Sequence, residues 1–234
     1  MTYANPDALV STEWLAAHLE APDVRVVDAS RPLPTEDRDA RAAYESRHIP
    51  GAVFFDIDEI ADSENPLPHM LPSPEKFASL VSQLGLGDGH RIVVYDSAGL
   101  YSAGRVWWMF RVFGHDDIAV LDGGLPKWLK EGRPTESGNS IRGERKFTAT
   151  MNTLIVRDLE HMKENLESRR EQVLDSRPAG RFAGTEPEPR PGLRPGHSPG
   201  SHNLPYTDLL DPETGTLRPA DALHARVTEA GIDL

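Results

Sequence analysis

The chain has 234 residues, 38% of them hydrophobic, and a formal net charge of −12 from 37 acidic and 25 basic side chains. That length suits one large domain or two of about 100–120 residues, and the acidic balance argues against nucleic acid or membrane as a partner. There is no cysteine, which excludes disulfides, zinc–thiolate sites and a thiol nucleophile within these residues. No stretch reaches the roughly 20 apolar residues of a membrane span, and the start MTYANPDALVSTEW lacks the basic and apolar parts of a signal peptide, so a cytoplasmic protein is expected.

In chain order, strand and helix signals alternate, predicting an α/β fold with a mostly parallel sheet. Val24–Asp28, Arg91–Tyr95 and Ile118–Leu121 are short β-branched runs. Between the first two, Ser73 and Pro74 open a helix with Phe77, Leu80, Val81 and Leu84 on one face, closed by Gly85. A second helix is predicted from about Ser102 to Gly114. It carries Trp107, Trp108 and Phe110, which with Trp128 are expected in the core. Asp122-Gly123-Gly124 then turns the chain into a short helix ended by Gly132.

Residues 133–152 are polar and without period, and are expected to link a domain over 1–132 to another starting at 153. The residues from 153 onward repeat the first half. Leu9–Leu15 has a counterpart in Leu154–Leu159, a strand-to-helix start in both places. Asp28 and Asp175 are 147 positions apart, the Pro-Gly turns at His48 and His197 are 149 apart, and Gly85 and Gly231 are 146 apart. Near-constant spacing over separate landmarks indicates an internal duplication. The copy over 153–234 has no counterpart of the strand at Arg91–Tyr95 or of the elements after it, so an incomplete second domain is expected.

The turn Asp96–Arg105, between a strand and a helix N-terminus, is where backbone N–H groups of a parallel sheet converge on an anion. It can equally be an ordinary loop in which Asp96 and Ser102 cap the helix. Here a resemblance becomes specific. Asp28-Ala29-Ser30-Arg31, His48-Ile49-Pro50-Gly51, Tyr95-Asp96 leading to Ser102-Ala103-Gly104-Arg105-Val106-Trp107-Trp108, Gly180-Arg181-Phe182 and Gly184 through Arg190 together resemble tandem rhodanese-type sulfurtransferases. Ser198 departs from the apolar residue usual in that family.

The resemblance implies two rhodanese-like doubly wound domains, the first catalytically silent and the second incomplete. It also implies a cysteine persulfide as sulfur carrier, in a second-domain loop matching Asp96–Ser102 and lying beyond Leu234. Asp96 would be the inactive counterpart of that cysteine. Arg181 and Arg190 would bind the donor, since a guanidinium fork suits a carboxylate, although without the resemblance they read as surface arginines. Asp58 and His69 would form a relay toward the catalytic loop, the carboxylate holding the histidine's tautomer. His69 alone could instead cap the loop before Ser73. His48 and His197 read as structural.

The expected activity is therefore transfer of sulfane sulfur from 3-mercaptopyruvate to cyanide or a thiol, with no metal or other cofactor. Thiosulfate as donor is the alternative, and a cysteine-free binding module is a third reading. The 234 residues alone are expected to be inactive.

Overall fold

The β-branched runs of the first half become adjacent strands because helices cover both faces of the sheet they form. The structure, a computed structural model, describes residues 2–190 and 192–234. Leu9–Val10 (β1), Val24–Asp28 (β2), Val53–Phe54 (β3), Arg91–Tyr95 (β4) and Ile118–Leu121 (β5) pair in the order β1-β5-β4-β2-β3, each pairing parallel. The helices are Thr12–His18 (α1), Ala40–Ser46 (α2), Pro74–Gln83 (α3), Ala103–Val112 (α4) and Gly124–Lys130 (α5).

Alternate strand residues feed two cores. Val27, Ile92, Val94, Ile118 and Val120 pack with Phe77 and Val81 of α3 and Val106 and Phe110 of α4. Val26, Val93, Tyr95, Ala119 and Leu121 pack with Leu15 of α1, Tyr44 of α2 and Trp128 of α5. Burial from both sides is why the strands read as unbroken apolar runs. The start of α3 follows its sequence: Ser73 Oγ accepts the Lys76 N–H at 3.2 Å, with Pro74 in the first turn.

Two expected core residues are displaced. Trp107 and Trp108 are only half-buried, because α4 turns Met109 and Phe110 to the core and leaves the two indoles at its border. Arg111 lies over the Trp107 ring and Arg105 over the Trp108 ring, each at 4.7 Å, a cation–π arrangement suited to a half-wet site. Trp108 Nε1 also donates to the Ile155 carbonyl at 3.0 Å, tying the two halves together. Residues 133–152 are no free tether either. Glu136 and His48 exchange backbone hydrogen bonds, and Phe147, 5% exposed, packs against Phe77 and Phe110.

The second half retraces the first. Leu174–Asp175 (β6) pairs in parallel with His202–Asn203 (β7), as Val27-Asp28 pairs with Val53-Phe54. Around them lie Leu159–Ser168 (α6), Ala179–Ala183 (α7) and Ala220–Glu229 (α8), the last in the place of α3. The strand start expected at Leu154–Val156 is instead a 3-10 turn over Thr153–Ile155. Its counterpart β1 is a strand by virtue of pairing with β5, and among the described residues no strand offers Val156 that edge. Also among the described residues, no helix is long and apolar enough to cross a membrane.

The halves meet through polar contacts. Asp122 Oδ1 accepts the Leu217 N–H at 2.7 Å, the Tyr3 hydroxyl donates to the Arg218 carbonyl at 2.8 Å, and Lys130 Nζ donates to the Glu213 carbonyl at 3.0 Å.

Candidate active site

The loop after β4 is organised by one carboxylate. Asp96 Oδ1 accepts the N–H groups of Ala98 at 2.8 Å and Gly99 at 2.7 Å, and Oδ2 accepts those of Tyr101 and Ala103, both at 2.8 Å. The Asp96 side chain is 1% exposed, so the loop holds an anion at the start of α4 in a cradle of backbone donors. Ser102, in the N-cap position, makes no capping bond of its own; its Oγ accepts the Arg31 N–H at 3.2 Å. The loop is pressed against α5 at Gly124, where φ is +53° and a Cβ would stand 2.7 Å from the carbonyl oxygens of Asp96 and Gly99. A larger side chain there would force the cradle open.

From this loop the chemistry faces the second half across a cleft of about 420 Å³. Its first-half wall is Arg31, Leu33, Ile57, His69, Leu100, Tyr101, Ser102 and Arg105. The opposite wall carries Arg177, Arg181, Arg190 and Tyr206. A more open hollow of about 600 Å³ runs along Ser30–Arg41, but its Arg38 and Arg41 face Glu36, Asp56 and Glu59. The smaller cleft also holds Arg105 and Arg190, whose polar contacts are to the His69 carbonyl and ring, so it is the better anion site.

Asp58 and His69 lie together there. His69 Nδ1 is 2.8 Å from Asp58 Oδ1, too poorly aligned for a straight hydrogen bond and therefore chiefly an electrostatic contact. Arg31 Nε reaches the same carboxylate at 3.2 Å. His69 sits at φ +59°, uncommon for a non-glycine residue, and its carbonyl accepts Arg105 Nη2 at 2.6 Å. The His69 pKa lies below the usual value: burial lowers it most and Arg31 next, Asp58 opposes, and Arg190 and Arg105 lower it further. The ring is thus held neutral.

The two sequence-selected arginines differ in what they face. Arg190 Nη2 meets His69 Nε2 directly, bringing residues 121 apart in sequence into contact. Arg181 commits Nε and Nη2 to Glu188 Oε2, at 3.2 and 2.6 Å. Glu188, whose side chain is 4% exposed, also binds Arg177 Nη1 at 2.8 Å. Both arginines hold the Glu188 carboxyl below its ordinary pKa, Arg181 foremost.

Sequence reasoning missed Arg31, Arg105, Arg177 and Glu188 as parts of the site. Arg31 and Arg105 do stand inside motifs the sequence makes visible, but nothing in their spacing says that both point into one cleft. The cleft gathers five arginines against the carboxylates of Asp58, Asp175 and Glu188, a local positive balance in a chain of net charge −12. Among the described residues no group of acidic, histidine or cysteine side chains could hold a metal ion.

With the parallel sheet, the anion cradle and the arginine-lined cleft in place, residues 11–131 match the rhodanese-like domain family. The chain is 50% identical to human 3-mercaptopyruvate sulfurtransferase, over 93% of its own length and 75% of that protein's. It is 46% identical to bovine thiosulfate sulfurtransferase, over 97% of its own length and 78% of that protein's. Among solved structures, the 3-mercaptopyruvate sulfotransferase SseA from Escherichia coli superposes with a TM-score of 0.88 at 37% identity, covering 97% of this chain and 84% of that one. The chain belongs to the rhodanese family of sulfurtransferases.

Proposed function

We infer that these residues form the donor-binding side of a sulfurtransferase that takes sulfane sulfur from 3-mercaptopyruvate and delivers it to cyanide or a thiol. The observation that carries this reading is the meeting of Arg190 and His69 in a positively charged cleft between the two halves. Arg190 contacts no carboxylate among the described residues, so a donor carboxylate can take its fork, and two parallel N–H···O bonds would fix the donor's orientation as well as its charge. Arg181 adds the edge not committed to Glu188. His69, kept neutral and backed by Asp58, is suited to polarise a hydroxyl or thiol brought against Nε2.

The sulfur carrier in this reading is a cysteine persulfide on a residue outside these 234, which contain no cysteine; the thiolate is the reactive form, and no hydroxyl or carboxylate can replace it. Asp96 occupies, in the first domain, the place that cysteine takes in the second. An aspartate there fills the cradle with a fixed anion and leaves nothing to carry sulfur.

The similarity to bovine thiosulfate sulfurtransferase keeps thiosulfate as a second donor to be tested. In a form of the protein carrying the counterpart of Gly87–Glu131 in its second half, Arg190→Ala should lower kcat/KM for 3-mercaptopyruvate by roughly 10–150-fold, the loss of a charge-assisted contact of about 1.5–3 kcal/mol. Thiosulfate turnover, measured as thiocyanate formed from cyanide, should fall much less. Equal losses with both donors would reduce Arg190 to a loop anchor. Thiocyanate above background from the 234 residues alone would overturn the persulfide assignment.

A further inference from the structure

The contact between Arg190 and His69 uses the atom that the proposed relay needs. Nδ1 of His69 faces the Asp58 carboxylate and Nε2 faces a guanidinium N–H. A guanidinium can only donate, so Nε2 is the acceptor and the neutral ring carries its proton on Nδ1, the side that faces the Asp58 carboxylate. The lone pair of Nε2 is thereby occupied, and a base whose lone pair is occupied accepts no proton.

The other cleft guanidinia are held differently. Arg31 is paired with Asp58, Arg177 with Asp175 and Glu188, and Arg181 with Glu188. Arg105 is fixed on the His69 carbonyl and over the Trp108 ring. Among the described residues Arg190 is the cleft arginine whose side-chain hydrogen bond goes to a neutral imidazole. A guanidinium–carboxylate pair is charge-assisted at both ends and commonly bidentate, whereas guanidinium to imidazole is a single bond to a neutral acceptor. A carboxylate entering the cleft therefore outcompetes His69 for Arg190.

We propose that Arg190 is a donor-operated latch on His69: it occupies Nε2 while the cleft is empty, and a carboxylate-bearing donor draws it away and frees the histidine as a base. This rests on the reading of the cleft as a donor site and adds a coupling between binding and chemistry. Specificity results, because a donor that fits but leaves Arg190 in place leaves His69 engaged. The remaining charges facing the ring, Arg31, Asp58 and Arg105, keep their own partners and act as a constant background. With Arg190 neutralised by the ligand, one of the positive charges that hold the ring below its usual pKa is offset, so the freed nitrogen is also more basic.

The test uses the 234-residue chain with labelled histidines and pyruvate as the probe, a carboxylate with no sulfur to transfer. The nitrogen-15 shift of Nε2 in the neutral ring reports whether its lone pair is hydrogen-bonded, and His69→Gln assigns the signal. Pyruvate should move the Nε2 shift of His69 toward that of a free lone pair and raise the His69 pKa. Arg190→Gln should start at the free value and show no further movement of that shift. Arg181→Gln should retain the movement with a weaker pyruvate affinity. Unchanged signals from the other histidines verify that each variant is folded. If pyruvate perturbs Tyr101 and Tyr206 while Nε2 of His69 stays put, the latch is wrong and the donor site stands. If saturating pyruvate perturbs nothing in the cleft, the donor site falls and the latch with it.

Discussion

Asp28 and Asp175 hold equivalent places at the ends of β2 and β6, and each accepts the backbone N–H two residues on, at 2.8 Å from Ser30 and 2.9 Å from Arg177. Their surroundings have opposite electrostatic consequences. Asp28 is 1% exposed beneath the first sheet, and burial raises its pKa. Asp175 is clasped by the Arg177 side chain, and that contact foremost lowers its pKa. One repeat unit thus stands on a closed apolar core, the other on a charged network facing the cleft. After Thr153 the one buried apolar side chain among the described residues is Leu204, at 5% exposure. Within these 234 residues the first copy is held by packing and the second by ion pairs and by the first copy, because β4, α4 and β5, which close the first core, have no counterpart among the described residues after Thr153.

The sharpest way to break this comparison is at Asp96. Four backbone donors converge on its carboxylate, and an orphaned buried donor costs about 1–3 kcal/mol. Asp96→Ala should lower the unfolding free energy of the first half by about 3–5 kcal/mol, in the range of other broken buried charge networks. Asp96→Asn should recover only part, because whichever oxygen it keeps, its amide NH2 then faces two N–H donors. Urea unfolding followed by tryptophan fluorescence reads this directly. A loss below about 1 kcal/mol for Asp96→Ala would mean that the cradle is satisfied by other means.

How far the sequence predicts this molecule follows the same division. β2, β4 and β5 are legible because central strands covered on both faces need β-branched runs, and α3 because Ser73-Pro74 and Gly85 mark its ends. His202-Asn203 carries no strand signal; it is β7 only because β6 lies beside it. Leu154–Val156 carries the signal but lacks a partner edge, so it does not become a strand. In the site, Asp58, His69, Arg181 and Arg190 could be picked from motif resemblance, and the structure brings all but Asp58 into the lining of one cleft, with Asp58 directly behind His69. That Glu188 would claim Arg181 was not legible, because the pairing depends on how a proline-rich loop folds back on α7 and leaves no periodic trace.

Glu188 gives the next largest effect. Asp175 and Glu188 both have pKa values lowered by their arginines. The stability they confer is complete above their ordinary values near 4 and is lost as pH falls through the lower folded values. Asp28 has the opposite sign and a higher window: as pH falls from its raised folded pKa to the ordinary value near 4, protonation relieves a penalty. Acidification from pH 7 to pH 3 should therefore strip amide-exchange protection from β6 and β7 before β2 and β4. Glu188→Gln should weaken the second half by about 1.5–3 kcal/mol at neutral pH, the value of hydrogen bonds to a charged group, and flatten its response to acid. Simultaneous loss of protection in both halves would show that they unfold as one unit and that the contrast between them is not energetic.

The smallest effect separates the copies at a single cap. α3 and α8 are both ten residues long, end in the same C-terminal hydrogen-bond pattern and carry an acidic residue in the first turn, but the N-cap is Ser73 in one and Pro219 in the other. Ser73 Oγ accepts the Lys76 N–H at 3.2 Å, whereas Pro219 offers no side-chain cap. Ser73→Ala should cost about 1 kcal/mol, the usual value of a lost N-cap. Pro219→Ser should not return the same amount. The new hydroxyl can reach the Ala222 N–H and contribute about 1 kcal/mol, but the proline restricts the unfolded chain, and giving that up costs about 0.4–1 kcal/mol where the native φ suits proline. The backbone at Pro219 has φ −53°, within proline's range. The two terms nearly cancel, so the urea midpoint of the second half should move by less than the equivalent of about 0.5 kcal/mol. A gain of a full 1 kcal/mol or more would show that Pro219 contributes nothing through the unfolded state, and that α8 is simply missing the cap that α3 has.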